Sequence, residues 1–339
     1  MWYQERSNKY KDTTLPKFNL CCGRGKVQLP LLKDPPVLLQ HLLFDNDVDS
    51  KNYQQHIRAY NMMFAFTSPG AKIDKSVNDG RGPPTFKIQG QTCHRVGSML
   101  PMPGQPPKFA QLYIYDTEHE IQNRIRGIRN PNDIDDQIVG KLSAMLHEYN
   151  VHAKSFRMAK ERLQDAPVQD LRLKLISDRV SDGRLYNLPT VSEVAALIVG
   201  DVNTSSKRDI IMETRSRTLQ RISELHTSYL SYQYPLLFPY GEDGYRHDVL
   251  HRDTGNSNSS KRNHLTIREW LCFRLQTRKN EALTLLRSRR LFQQFVVDGY
   301  TMLESERLSF IRRNQKKLRV DKYSNLSQTN HNLQCPGSE

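Results

Sequence analysis

An α+β fold is expected, with mixed strands and helices and a small sheet in the N-terminal part and a helical C-terminal segment. Three observations support it. Apolar residues recur at helical spacing in 133–164 and again in 264–319, and the stretch between them switches to strand-like periods. Residues 264–319 hold one glycine and no proline, so nothing in that segment breaks a helix. A chain of 339 residues has room for more than one unit of ordinary size.

Taken in order, residues 1–52 read as an irregular arm. Pro16, Pro30, Pro35 and Pro36 fix φ and remove backbone donors in its first 40 residues, so only short extended pieces are expected there. An α+β region over 53–252 follows. It opens with a helix from Tyr53 to Phe66, whose Ile57, Tyr60, Met63 and Phe64 share a face and which Ser68, Pro69 and Gly70 stop. The Gly- and Pro-rich stretch 80–108 predicts short strands and tight turns around Phe86, Ile88 and Val96. FAQLYIY (109–115) reads as a strand leading into a helix TEHEIQNRIRGI capped from Asp116 or Thr117. Ile138, Leu142, Met145, Leu146 and Tyr149, then Phe156 and Met158, predict one long helix or two short ones. LRLKLIS (171–177), VAALIVG (194–200) and RDIIMETR (208–215) predict three strands of one sheet. A polar linker at 253–263, built around TGNSNSSK, precedes the helical segment 264–326, and 327–339 reads as an aberrant or disordered tail.

Fifty Lys and Arg against 36 Asp and Glu leave a formal charge of +14, which favours a polyanionic partner. The hydrophobic fraction is 37% and the mean hydropathy −0.69, yet the apolar residues fall in periodic blocks, as a folded chain requires. Five cysteines at 21, 22, 93, 272 and 335, without regular spacing, point away from a secreted disulfide scaffold. With no apolar leader at the start and no apolar run of about 18 residues, neither secretion nor a membrane is expected, and the nucleus is the expected location.

The positive charge clusters in the last helices, where Arg268, Arg274, Arg278, Lys279 and Arg307 accompany the residues expected to contact nucleic acid: Arg287, Arg289, Arg290, Arg312, Arg313, Lys316, Lys317 and Arg319. Guanidinium and ammonium groups on a helix that buries its apolar face would form a stripe able to hold phosphates; an ordinary solvated face is the alternative. No cofactor, metal or small-molecule substrate is expected. Zinc needs four ligands, and the adjacent Cys21 and Cys22 belong to no CxxC pair. His247 and His251, at i and i+4 beside Asp248 and Asp253, would share a helical face, but polar histidines next to a linker are usually solvated. A phosphate-cradling GxxxxGK[ST] loop is absent; GRGK (23–26) and SPGAK (68–72) read as turns.

Ordered blocks along the chain carry a family resemblance: CCGRGKVQLP (21–30), IRAYNMMFAFTSPGAKID (57–74), NDGRGPPTFKIQGQTCHRVGSMLP (78–101), KFAQLYIYDTEHEIQNRI (108–125), VAALIVGD (194–201), LQRISELH (219–226), QYPLLFPYGEDGY (233–245) and RLFQQFVVDGYTMLESERLSFIRRNQKKLR (290–319). With these the sequence resembles plant Helitron Rep-helicase proteins, and 290–319 resembles the opening helices of the Helitron helicase-like domain. The resemblance implies rolling-circle transposition by a metal-dependent nuclease with a His-hydrophobic-His motif and nucleophilic tyrosines, followed by a helicase. Neither that motif nor a Walker loop is recognisable here, so no catalytic residue is assigned and this chain is expected not to be an enzyme. Relative to the family, the CxxC element before a WYEER-like stretch is missing ahead of Trp2 to Arg6, and the pattern is lost after about Ser327, as in a truncated or mis-spliced product.

The reading that follows is a fragment of a Helitron-type protein that binds DNA, single- or double-stranded, with Tyr240 and Tyr245 available to stack on unpaired bases. Two alternatives stand beside it. One is a non-functional remnant of a decayed element without a specific partner; the other is a nuclease using Tyr300 or Tyr323.

Overall fold

The computed structural model describes residues 3–8, 17–69, 72–74, 87–89, 94–115, 117–128, 130–165, 171–199, 208–252 and 263–318. In chain order its elements are α1 (Asn19–Cys22), α2 (Val37–Phe44), α3 (Val48–Phe64), β1 (Ser68–Pro69), β2 (Lys72–Asp74), β3 (Lys87–Gln89), β4 (His94–Val96), α4 (Glu120–Arg126), α5 (Asp136–Tyr149), α6 (Val151–Asp165) and β5 (Leu171–Leu175). There follow α7 (Val191–Val194), β6 (Ala195–Val199), β7 (Ile210–Glu213), β8 (Gln220–Ile222), α8 (Tyr229–Gln233), α9 (Ile267–Arg274), α10 (Thr284–Arg287) and α11 (Arg289–Leu318). The architecture is α+β: small antiparallel sheets among helices, then a helical C-terminal segment.

The three strands expected in the middle of the chain form one antiparallel sheet of order β6-β5-β7. In β5 the alternation of Leu171, Leu173 and Leu175 with Arg172 and Lys174 sends the leucines inward, and Leu173 lies opposite Leu197 and Met212. A second sheet of order β1-β4-β8 joins segments far apart in sequence, and β2 pairs with β3. Helices α5 and α6 are two because Asn150 interrupts them: it is fully buried, and its side-chain oxygen accepts from the His152 and Ala153 amides, starting the second helix.

Two expectations are corrected. The segment read as an irregular arm contains α2 and the start of α3, because Pro36 stands at the N-cap of α2 with φ −52° and so precedes the helix without interrupting it. Leu39, Leu42 and Leu43 then fall at i, i+3 and i+4 and are buried. The expected strand at 109–115 is instead a 3₁₀ turn over Phe109–Tyr113, entered through Phe109 at φ 53°. There the Ala110 amide donates to Phe66 O, and the Tyr113 ring stacks on Phe66 at 4.5 Å. A short apolar run fits a buried turn as well as a strand, and here tertiary packing decides.

Helix α3 buries Tyr53, Ile57, Tyr60, Met63 and Phe64 and packs against α11. Its N-cap Asp47 accepts from the Ser50 amide at 3.1 Å. Helix α11 buries one stripe, Leu291, Phe295, Gly299, Met302 and Ser305, at spacings of three and four. Gly299 lets α9 approach: a Cβ there would sit 3.0 Å from Leu271 Cδ2. Residues 306–318 bury no side chain. The expected linker (253–263) lies almost wholly, and the tail (327–339) wholly, outside the described residues. No described helix is long and apolar enough to cross a membrane.

Candidate nucleic-acid interface

Arg287 ends α10, and Arg289 and Arg290 open α11; Arg312, Arg313, Lys316 and Lys317 stand in its last turns. All seven side chains are exposed, and none has an ion-pair partner among the described residues. Arg319 lies outside the described residues. The structure divides the cluster into two patches, since Arg290 and Arg312 are 22 residues apart on one helix, roughly 33 Å at 1.5 Å per residue.

The first patch is anchored. Arg289 takes φ 48° at the α10–α11 junction and its guanidinium donates to Gln54 Oε1 at 2.5 Å. Gln54 Nε2 in turn donates to the carbonyls of Leu42, Leu43 and Asp45, closing the end of α2. Among the described residues, the second patch makes only local bonds: Arg313 Nε donates to Ser309 O at 3.2 Å.

Two residues of the expected basic stripe, Arg274 and Arg278, are drawn inward, and a third is paired on the surface. Arg274 is 3% exposed, with Nη1 on Pro30 O at 2.8 Å and on Glu281 Oε1 at 3.0 Å. Burial pushes its guanidinium down to about 10 against the pull of Glu281. Arg278 lies over the Phe273 ring at 3.4 Å and pairs with the same Glu281. Arg307 pairs with Glu304 one turn back. Glu281 thus absorbs two arginines into the joint between α9 and α10, which composition alone does not reveal.

The aromatic residues expected to stack on bases are already engaged. Tyr245 is buried and donates to Leu265 O at 3.0 Å, while Tyr240 donates to Asp34 O at 2.7 Å beneath Lys33. Tyr300 is 65% exposed on α11, and Tyr323 lies outside the described residues.

His247 and His251 share no helical face, because that stretch is not helical. His247 meets Arg208, and His251 Nε2 lies 3.2 Å from Glu269. Cys21 and Cys22 are half-buried free thiols; burial and the neighbouring Cys22 push the Cys21 thiol up to about 11, the opposite of a metal-ready thiolate. Among the described residues, His41, Asp45 and Asp47 form a group of the size a cation would need, all exposed. Internal bonds already occupy it: His41 Nδ1 lies 2.7 Å from Asp45 and Nε2 3.3 Å from Asp47, whose carboxylate Ser50 holds down to about 2 by hydrogen bonding. The cluster is the corner between α2 and α3.

No curated protein matches the chain. A family model described as the Helitron helicase-like domain at the N-terminus matches residues 270–336, from the middle of α9 through α11, and spans both basic patches. That match makes residues 270–336 similar to the Helitron helicase-like domain and supports a relation between this chain and the Helitron Rep-helicases.

Proposed function

We propose that the chain binds DNA in the nucleus as part of a Helitron-type transposition protein, through the cationic side chains of α10 and α11, and that it performs no hydrolysis itself. One observation carries the reading. Arg287, Arg289, Arg290, Arg312, Arg313, Lys316 and Lys317 are exposed inside the family-matched segment without acidic partners among the described residues, whereas Arg274 and Arg278 nearby pair with Glu281. Exposed cations release counterions when they meet phosphates, so the interaction is sequence-tolerant and salt-sensitive.

The test is fluorescence anisotropy of labelled DNA across a salt series, with the wild-type chain and with Arg312→Gln/Arg313→Gln/Lys316→Gln/Lys317→Gln. These four side chains are exposed, so the fold should persist while the slope of log K against log salt flattens by up to about one unit per lost contact. Absence of binding at low salt, or a quadruple variant with unchanged affinity and slope, overturns the reading.

A further inference from the structure

We propose that a groove between α3, Ile128, residues 130–134, Gln233 of α8 and Gln294 of α11 takes one unpaired nucleobase of the bound strand. The proposal rests on the DNA-binding reading above. The groove holds about 330 Å³, within the range of small-ligand sites, and is lined by His56, Arg58, Met62, Asn130, Gln233 and Gln294 among others.

Its floor is the best evidence for a ligand. Gln233 is only 5% exposed; its Oε1 accepts from Thr67 Oγ1 at 2.9 Å and its main-chain carbonyl accepts from Asn61 Nδ2 at 2.8 Å. Its amide nitrogen, in a side chain that lines the groove, has no partner among the described residues. A donor held in place by its own oxygen's bond to Thr67, facing an open groove without a protein acceptor, is a fixed point on which a ligand acceptor can replace water. The walls add further amide and imidazole groups at Asn130, Gln294 and His56, and Met62, 41% exposed, supplies a soft apolar surface. Mixed donors and acceptors beside an apolar face match the edge and face of a base.

Charge assigns the rest of the nucleotide. Asp133 also lines the groove, which disfavours a phosphate inside it. The cations stand at the rim: Arg58 is exposed one helical turn from Gln54, the residue that Arg289 clasps, and Arg290 lies one turn before Gln294. Phosphates thus sit on Arg58, Arg289 and Arg290 while the base turns inward. A base inside a duplex is stacked and paired and does not reach a floor this deeply buried, so the occupant is unpaired DNA.

The experiment compares a short single strand of mixed sequence, the same sequence as a duplex, and a strand of equal length with every base removed. It uses the wild-type chain, Ala59→Phe to fill the groove from its half-exposed wall, and Met62→Ala as a milder change. The expected result is that the base-bearing strand binds at least about fivefold tighter than the abasic strand, the scale of a single base contact. Ala59→Phe removes that advantage, Met62→Ala reduces it, and abasic-strand affinity and salt slope stay unchanged. Equal binding of base-bearing and abasic strands, or an advantage that survives both substitutions in folded protein, overturns the groove assignment while leaving DNA binding intact. Failure of all three nucleic acids to bind overturns the DNA-binding reading itself.

Discussion

Glu120→Gln should be among the most destabilising isosteric changes in the chain. Arg124 is 1% exposed, its guanidinium lying between the Phe64 and Tyr113 rings at 4.6 and 4.3 Å. It donates to Glu120 Oε1 from Nε at 2.9 Å and from Nη2 at 2.8 Å, and to Met63 O from Nη1 at 2.5 Å. Arg157 and Ser143 meet the same carboxylate. Burial opposes ionisation of Glu120, but Arg124 and Arg157 beside it hold its carboxyl below the ordinary value. Removing the charge strands Arg124 in the interior, at a cost of about 3–5 kcal/mol for breaking a buried pair. Arg157, whose side chain is 19% exposed, remains partly solvated and adds little. At about 2–4 °C per kcal/mol for a large domain, the melting temperature should fall by roughly 6–20 °C. Calorimetry at neutral pH and at acid pH is the assay. Because the folded carboxyl titrates below its unfolded counterpart, its contribution is present above about pH 4.3 and is lost as the pH falls through the depressed folded value, so the gap between wild type and variant should narrow in acid. A second variant, Glu120→Gln/Arg124→Met, should recover much of the loss by removing the stranded cation. A fall of less than about 2 °C, which is under about 1 kcal/mol, or a gap that ignores pH, would refute the argument.

Two further outcomes follow from the interior. Gly241 has φ 76°, and a Cβ there would lie 2.7 Å from Val151 Cγ2, so Gly241→Ala should cost about 2–4 kcal/mol from left-handed strain plus overpacking, read by urea denaturation. His152 is buried with neither ring nitrogen well bonded; burial, then Arg179 and His226, push it far down, and burial pushes His226 down to about 3. Both are therefore held neutral, and the stability they permit is present above about pH 6.5 and lost as the pH falls below it. His152→Leu should leave the melting temperature at pH 8 nearly unchanged and flatten its decline in acid; an equally steep decline would contradict this.

The middle sheet could be read from sequence because Leu171 to Leu175 alternate and 194–200 is a continuous apolar run, both local patterns. The 3₁₀ turn at Phe109 could not, since it depends on an amide bond to Phe66 O and on a ring stack formed at long range. Pro35 and Pro36 suggested irregular chain because proline disfavours helix interiors, yet one of them occupies a helix N-cap. The basic residues were visible as a list, but their arrangement was not: that Glu281 captures Arg274 and Arg278, and that the remaining cations divide between two ends of α11, are properties of packing. The groove had no signature at all. Asn61 and Gln233 sit in apolar runs, NMMF and YQYPLL, where a polar residue reads as an ordinary interruption.

The unpacked outer half of α11 makes its charge density conditional on helix–coil equilibrium. No side chain of residues 306–318 is fully buried, so their helicity rests less on tertiary packing than that of the seated half. Arg312 and Lys316, and Arg313 and Lys317, are like-charge pairs four residues apart across the kink at Asn314 (φ −113°, ψ 18°), and their repulsion opposes the helix there while the negative end of the helix dipole partly compensates. A polyanion lying along this end neutralises the repulsion and stiffens the segment that holds it. If the distal patch binds DNA as proposed, part of its binding free energy should therefore appear as gained helicity and not as direct attraction.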